Sequence, residues 1–472
     1  MAQNDINDDE TVGFENEEEK IIQYLIRGTN ELDVVPIVGM GGQGKTTIAK
    51  KVYDNKRVLY HFDVQAWCSI SQTYNQSELL QEIFSRVTGS KNKGYQDDDV
   101  LVDALADKLR KSLMRKRYLI VLDDMWDGMA WDDLRFSFPD VGNRSRIIVT
   151  TRLEEVAKQV KYHTDPYSLP FLPLDESCKL LQYKVFQQEG CPPELRDVSL
   201  EIAEKCKGLP LVIILVAGII KRNKMEASWW HKIKKSLLSY LGESDGYSLT
   251  TMQLSYDNLP DYLKPCLLYM GMFSEDARIP VSKLLSLWIA ECFVQNIECA
   301  EDYLMDLISS NVVMVSKREY DGKVKYCQVH DVVLHFCLEK SREEKFMLAV
   351  KGDFQPSDWK ENRVSFSFSN RNLIHQCSKL ISKFASLGSK TRTPFCQDLI
   401  SLITTNQGGF SDWNFFRKVS ETRILKVLDL SSHRVPSLSS GTFQRLIHLS
   451  TSQFIQKSSI FIHDHICLNQ KL

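Results

Sequence analysis

Gly39-Met40-Gly41-Gly42-Gln43-Gly44-Lys45-Thr46-Thr47 follows a short apolar run, VVPIV (34–38), and opens a segment of helical character. It fits G-x-x-x-x-G-K-[ST] in full. Gly39, Gly41, Gly42 and Gly44 let the backbone fold into a loop whose N–H groups converge on phosphate oxygens. The helix beginning near Gly44 adds its positive N-terminal end to the same place. In such a loop Lys45 reaches the β- and γ-phosphates, the Thr46 hydroxyl ligates Mg²⁺, and Thr47 completes the helix start. The expected ligand is therefore a polyphosphate with Mg²⁺.

Outward from this loop the chain alternates. Apolar runs at 34–38, 62–70, 118–122 and 146–150 read as strands, and 15–26, 77–87 and 98–113 as helices. That order predicts an α/β P-loop NTPase domain, a mostly parallel sheet with helices on both faces. Pro36 is awkward in its strand, because proline cannot donate to a ladder. Asp123 and Asp124 end the YLIVL strand. There Asp123 is the candidate Mg²⁺ ligand, with Thr46, and the second carboxylate would orient or deprotonate an attacking water. The alternative for this pair is an Asx turn. Arg152 follows the fourth strand, at the carboxyl edge where open α/β sheets place ligands. From there it would grip a γ-phosphate, unless it is a surface arginine opening a helix.

Beyond residue 165 helices dominate: 175–188, 195–207 and the apolar run LPLVIILVAGII (209–220). At twelve residues that run is short of the ~20 needed to span a bilayer and reads as a buried helix. Residues 323–328 suggest a hairpin strand. A leucine-rich-repeat signature begins at Leu425-x-x-Leu428-x-Leu430 and restarts twenty-one residues later at Leu446-x-x-Leu449, then lapses at Thr451. Two imperfect repeats do not close a horseshoe, and 451–472 continues neither repeat nor cap.

The chain has 472 residues, enough for about three domains. Its 59 basic and 61 acidic side chains leave a formal charge of −2, which offers nucleic acid or anionic membrane no electrostatic footing. Hydrophobic residues at 43% and charged residues at 25% exclude a disordered or fibrous chain. Twelve cysteines without a C-x-x-C pair read as reduced thiols of a cytosolic protein. The acidic start MAQNDINDDE is unlike a signal peptide.

Taken in order, Gly39–Thr47, LIVLDDMW (119–126), SRIIVTTR (145–152), CKGLPL (206–211), LSYDNLPDYLKPCLLYMGMFSED (254–276), LWIAECFV (287–294) and VHD (329–331) resemble an NB-ARC module. The chain resembles plant intracellular immune receptors of the nucleotide-binding, leucine-rich-repeat kind. Trp126 points to the coiled-coil class, and the style to late-blight resistance proteins of the nightshade family. The resemblance implies a disordered start (1–11), a P-loop domain (12–155), a helical domain (165–240) and a winged-helix domain (246–345). A linker (346–420), the start of leucine-rich repeats (421–450) and an atypical tail (451–472) would follow. It further implies that Val12 and Gly13 border the adenine, that Pro210 packs on the base and that His330 reaches the β-phosphate of ADP.

The implied function is an ADP/ATP switch in the defence response to pathogens, ending in a hypersensitive response, with at most slow ATP hydrolysis. Implied partners are other receptor copies or helper receptors, and a pathogen effector or guarded host protein; no nucleic acid and no transmembrane segment are expected. The implied location is the cytoplasm, with peripheral membrane attachment on activation. Three departures stand out. Only eleven residues precede Val12, the repeats stop early, and Val329 and Gln43 replace a commoner methionine and valine. The short start and the atypical tail motivate an alternative, a truncated non-signalling fragment acting as helper, decoy or interaction module.

Overall fold

The computed structural model describes residues 12–70, 74–89, 102–240, 247–351, 363–367, 401–404, 426–435, 451–456 and 459–463. The chain divides into two compact units, Met1–Thr251 and Met252–Leu472.

The first unit is built on five strands: β1 (Asp33–Val38), β2 (Val64–Ser69), β3 (Tyr118–Met125), β4 (Arg146–Thr151) and β5 (Tyr167–Ser168). They lie in the order β2-β3-β4-β1-β5, and every pairing is parallel. β1 and β4 are buried at every residue, as expected where helices cover both faces. The helix Val102–Leu113 turns Leu105, Leu109 and Leu113 into this core; residues 98–101, also read as helical, lie outside the described residues. β5 is a strand that the sequence does not announce, because two residues carry no periodicity. Among the described residues it pairs with Ile37 and Val38 alone, leaving β1 open on that side at Pro36, the kind of edge that accommodates proline.

This order puts the carboxyl ends of β1, β4 and β3 side by side. The glycine loop leaves β1 there, and Gly39 N donates to Thr151 O at 3.3 Å, fastening the loop to the end of β4. At the opposite edge Arg146 is fully buried. Its guanidinium donates to Glu31 O and Ser145 O, both at 2.8 Å, and to Thr29 O at 2.5 Å, tying the turn before β1 to the sheet.

The helices Leu174–Phe186, Arg196–Lys205, Pro210–Lys221 and Ala227–Tyr240 complete the unit. Phe186 stacks on Trp230 with ring centres 5.8 Å apart. In Pro210–Lys221 all residues but Ile214 and Lys221 are buried, so the apolar run is a core helix. Among the described residues no helix is long and apolar enough to cross a membrane.

The second unit includes helices Lys264–Leu268, Val281–Ala290, Ile297–Ser309 and Asp331–Glu343 around a three-stranded antiparallel sheet. Its strands are β6 (Ile279–Pro280), β7 (Met314–Arg318) and β8 (Val324–Gln328), in the order β6-β8-β7. A further sheet follows, of β9 (Leu348–Lys351), β10 (Arg363–Ser367), β11 (Ser401–Thr404), β12 (Val427–Val435), β13 (Thr451–Gln456) and β14 (Ser459–His463), neighbours in that sequence. All pairs are parallel except β13–β14. The stretch 346–420, read from sequence as linker, thus supplies three strands. Strand pairing also continues at Thr451, opposite Val427, although the leucine pattern has lapsed there. The expected disordered start at 1–11 and the repeat at Leu446-x-x-Leu449 lie outside the described residues.

Candidate nucleotide site

Two glycines shape the loop. Gly42 (φ 77) and Gly44 (φ 97) lie in the left-handed region that side chains disfavour. Neither position has room for a side chain: a Cβ at Gly42 would lie 2.5 Å from Leu211 Cβ, and one at Gly44 3.0 Å from the Phe14 ring. Leu211 N donates to Gly42 O at 3.1 Å, so the first turn of Pro210–Lys221 grips the loop directly.

Lys45 opens the helix Lys45–Tyr53 and is 6% exposed. Its Nζ donates to Met40 O at 2.9 Å, curling the side chain back over the loop. Burial pulls its pKa down to about 8, the nearby Arg152 adds to the fall, and Asp124 and Asp123 only partly offset it. A buried ammonium under that penalty favours an anion beside it. Thr46 and Thr47 follow on the exposed side of the same turn.

Asp123 is 4% exposed and accepts from Thr46 Oγ1 at 3.1 Å and Thr150 Oγ1 at 2.5 Å. Thr150 Oγ1 in turn accepts from Asp124 N at 2.8 Å. Neighbouring strand residues normally face opposite sides. Here the β3–β4 register shifts between Leu122 and Met125, and Asp124 takes φ 55. This bulge re-aims the strand tip, so both carboxylates serve one place. Asp124 Oδ1 lies 3.6 Å from Arg152 Nε, and the Arg152 guanidinium sits 4.5 Å over the Trp126 ring. Arg152 therefore projects back over the strand ends.

The residues expected at the base also gather. Pro210 Cγ and the Phe14 ring both lie within 4 Å of where a Cβ on Gly44 would sit. Gly13 abuts Leu172 and Glu176, and its carbonyl accepts from Lys51 Nζ at 3.2 Å. Val12 beside it is half-buried. Next to them is a cavity of about 160 Å³ lined by Phe14, Glu17, Pro170, Leu172, Pro173 and Glu176 among others. Burial raises the Glu176 carboxyl above its usual range, while the Phe14 backbone N–H holds it down. His330 belongs to the second unit, immediately before Asp331–Glu343. There its Nδ1 accepts from Val332 N at 3.2 Å and lies against Asp331 Oδ1.

Residues 14–191 match the NB-ARC domain family, and 272–337 match the winged-helix domain of disease resistance proteins. The chain carries both domains. The NB-ARC match begins at Phe14 and runs through the glycine loop, β3 and β4. A late blight resistance protein homolog of Solanum demissum is 45% identical over 352 residues, 73% of this chain and 26% of its own. A late blight resistance protein of the same species is 39% identical over 436 residues, 90% of this chain and 33% of its own. The chain thus spans about a quarter to a third of the length of these relatives. A signal-transduction ATPase with a tetratricopeptide-repeat sensor, from Pyrococcus horikoshii, superposes with TM-score 0.44 at 15% identity, covering 71% of this chain and 43% of that one.

Sequence reasoning missed Gln43 and Thr150. Gln43 stands in the loop where valine is commoner, at a non-glycine position. It is 4% exposed, its Oε1 accepts from Met40 N at 2.6 Å, and its Nε2 donates to Leu169 O at 2.5 Å. It holds the NB-ARC loop to the chain leaving β5. Gln43→Val leaves Met40 N and Leu169 O without this partner, so we expect a loss of about 1–3 kcal/mol in unfolding stability, read in urea. A change below about 0.5 kcal/mol would show that the amide is dispensable.

Proposed function

We propose that this chain is the adenine-nucleotide switch of a plant intracellular immune receptor acting in defence. The observation that carries the reading is the buried Lys45 ammonium at the helix start, with Asp123 joined to Thr46 one residue on. A polyphosphate supplies the charge that Lys45 lacks. The Thr46 hydroxyl and Asp123 carboxylate, 3.1 Å apart, are the hard oxygen donors that Mg²⁺ takes, so the donor set fits the ion. Bound there, Mg²⁺ would neutralise phosphate charge. Gly39, Gly41, Gly42 and Gly44 present the loop's N–H groups, Thr47 continues the helix start, and Val12, Gly13 and Pro210 border the base.

In this reading His330 donates to the β-phosphate of ADP and holds a closed form. Exchange for ATP releases it and engages Arg152, which must first leave Asp124 and Trp126. Asp124 then orients the water for a slow hydrolysis that resets the switch. The populations are set by differential affinity; moving them from 1:99 to 99:1 takes about 5.5 kcal/mol. The open form would assemble with other receptor copies or helper receptors in the cytoplasm, with peripheral membrane attachment, and the output would be a hypersensitive response.

The test is the nucleotide that copurifies with the full chain. We expect near-stoichiometric ADP; a folded sample that is empty and indifferent to added ADP and ATP would overturn the reading. A His330→Ala chain expressed in leaf tissue is expected to give cell death without a pathogen, and no response would favour a non-signalling interaction module.

Binding should also depend on pH. In the nucleotide-free protein Lys45 has a pKa of about 8, and a phosphate at Nζ would raise it. Binding then takes up a proton above pH 8. ADP affinity should be level below about 8 and fall above it, by up to about tenfold per pH unit, in calorimetric titrations. A level profile to pH 10 would exclude Lys45 as the phosphate ligand.

A further inference from the structure

Within the second unit, the helix Ile297–Ser309 seats itself on Ala300, Leu304 and Leu307, which are buried. Its outer side is two adjoining stripes, each stepping by four residues. Glu298, Asp302 and Asp306 form the first, and Ile297, Glu301 and Met305 the second, all of them exposed. The helix holds these four acids and no lysine, arginine or histidine. Among the described residues none of the four carboxylates has a salt bridge.

A merely solvated face is built differently in this chain. Other exposed helical acids have a cation one turn on: Glu82 has Arg86 at 2.6 Å, Asp107 has Lys111 at 2.5 Å and Glu154 has Lys158 at 3.4 Å. In Ile297–Ser309 the same spacing sets Glu298 against Asp302, and Asp302 against Asp306, which disfavours the helix. Asp306 also stands near the helix C-terminus, where the dipole opposes a negative charge. The acids therefore work against the helix that carries them. Apolar surface lies among them, with Ile297 43% exposed and Met305 47%. Tyr262, 48% exposed, extends it, its ring 4.7 Å from that of Tyr303 in the same helix. The neighbouring Asp261 and Lys264 pair with each other at 2.7 Å and add no net charge. Nucleic acid does not fit this face, since its phosphates would meet carboxylates.

We propose that the outer face of Ile297–Ser309 is a docking surface for a basic amphipathic helix of another protein. Successive carboxylates of the first stripe lie about 6 Å apart along the axis. A partner helix with lysine or arginine at the same spacing sets a cation against each, and its aliphatic side chains cover Ile297, Met305 and Tyr262. The partner's charges relieve the repulsion within the face. The surface stands whether or not the chain switches on nucleotide.

The test is fluorescence anisotropy of a labelled amphipathic peptide of leucine and lysine, titrated with the full chain, beside a leucine and glutamate peptide of equal length. We expect the lysine peptide to bind, more weakly as salt rises, and the glutamate peptide not to bind. Asp302→Lys separates docking from folding. It places a cation one turn from both Glu298 and Asp306, so unfolding should stay level or shift to higher urea while peptide affinity falls. Asp302→Lys with Glu301→Lys should weaken binding by about tenfold or more. Met305→Ser should weaken it without altering its salt dependence. Variants that bind as tightly as the parent would overturn the proposal, as would equal binding of the glutamate peptide. Self-association of the chain that these variants abolish would also overturn it, because the face would then belong to a second copy.

Discussion

Lys45→Ala weakens ADP and ATP binding by about 100- to 1,000-fold, about 3–4 kcal/mol. Hydrogen bonds to charged groups contribute about 1.5–3 kcal/mol each, and Lys45 is positioned to make one to each of two phosphates. The same change should leave the nucleotide-free fold intact or firmer. The folded-state pKa of Lys45, about 8, lies below its ordinary 10.5. Folding therefore disfavours the charged form, and the penalty is fully present below pH 8. As pH rises from 8 to 10.5 the unfolded chain holds more protons than the folded one, so stability climbs through that window. Alanine removes the buried charge and with it this climb. Calorimetry with ADP and thermal unfolding of nucleotide-free protein separate the two effects. Binding within threefold of the parent would remove Lys45 from the site, whereas a large loss of stability would show that its bond to Met40 O supports the fold.

The parts of this site that were legible in the sequence are those whose constraint is local. The glycine spacing admits one kind of loop, and apolar runs ending in Asp123 and Thr151 mark strand tips in any parallel sheet. What stayed hidden depends on partners far along the chain. Gln43 meets Leu169 across 126 residues, and nothing near Gln43 signals it. Arg146 looks like an exposed strand start, yet it is buried because the carbonyls of Thr29 and Glu31 come to it. The placement of Asp124 beside Arg152 needs the β3 bulge, and bulges leave no periodic trace. β5 is too short to show a pattern. The strands at Leu348, Arg363 and Ser401 pair through the backbone, which is indifferent to whether leucine recurs at a fixed interval.

A second large effect is expected at Glu291, where the winged-helix domain joins the sheet that follows it. Glu291 caps the helix Val281–Ala290, and its side chain is fully buried. Oε2 accepts from Arg363 Nε at 2.8 Å, and Oε1 accepts from the Ser401 hydroxyl. Arg363 lies over two rings, 4.7 Å from the centre of Phe346 and 5.2 Å from that of Phe293, and donates to Phe346 O at 3.4 Å. Burial, with the charge of Glu291, drives the Tyr269 hydroxyl well above its usual pKa. One carboxylate thus holds β10 and β11 against the winged helix. Glu291→Ala strands the Arg363 charge between rings and should cost about 3–5 kcal/mol, seen as a lower urea midpoint. Glu291→Gln keeps the acceptor for Ser401 but not the charge, and should cost less. The decisive variant is Glu291→Ala combined with Arg363→Met. A buried pair is expensive to break and cheap to replace, because its attraction is largely offset by the desolvation of both ions. The double variant should therefore recover much of the loss, leaving mainly the cavity. If the double loses as much as the two single changes together, the residues act independently and the carboxylate does not join the domains through Arg363.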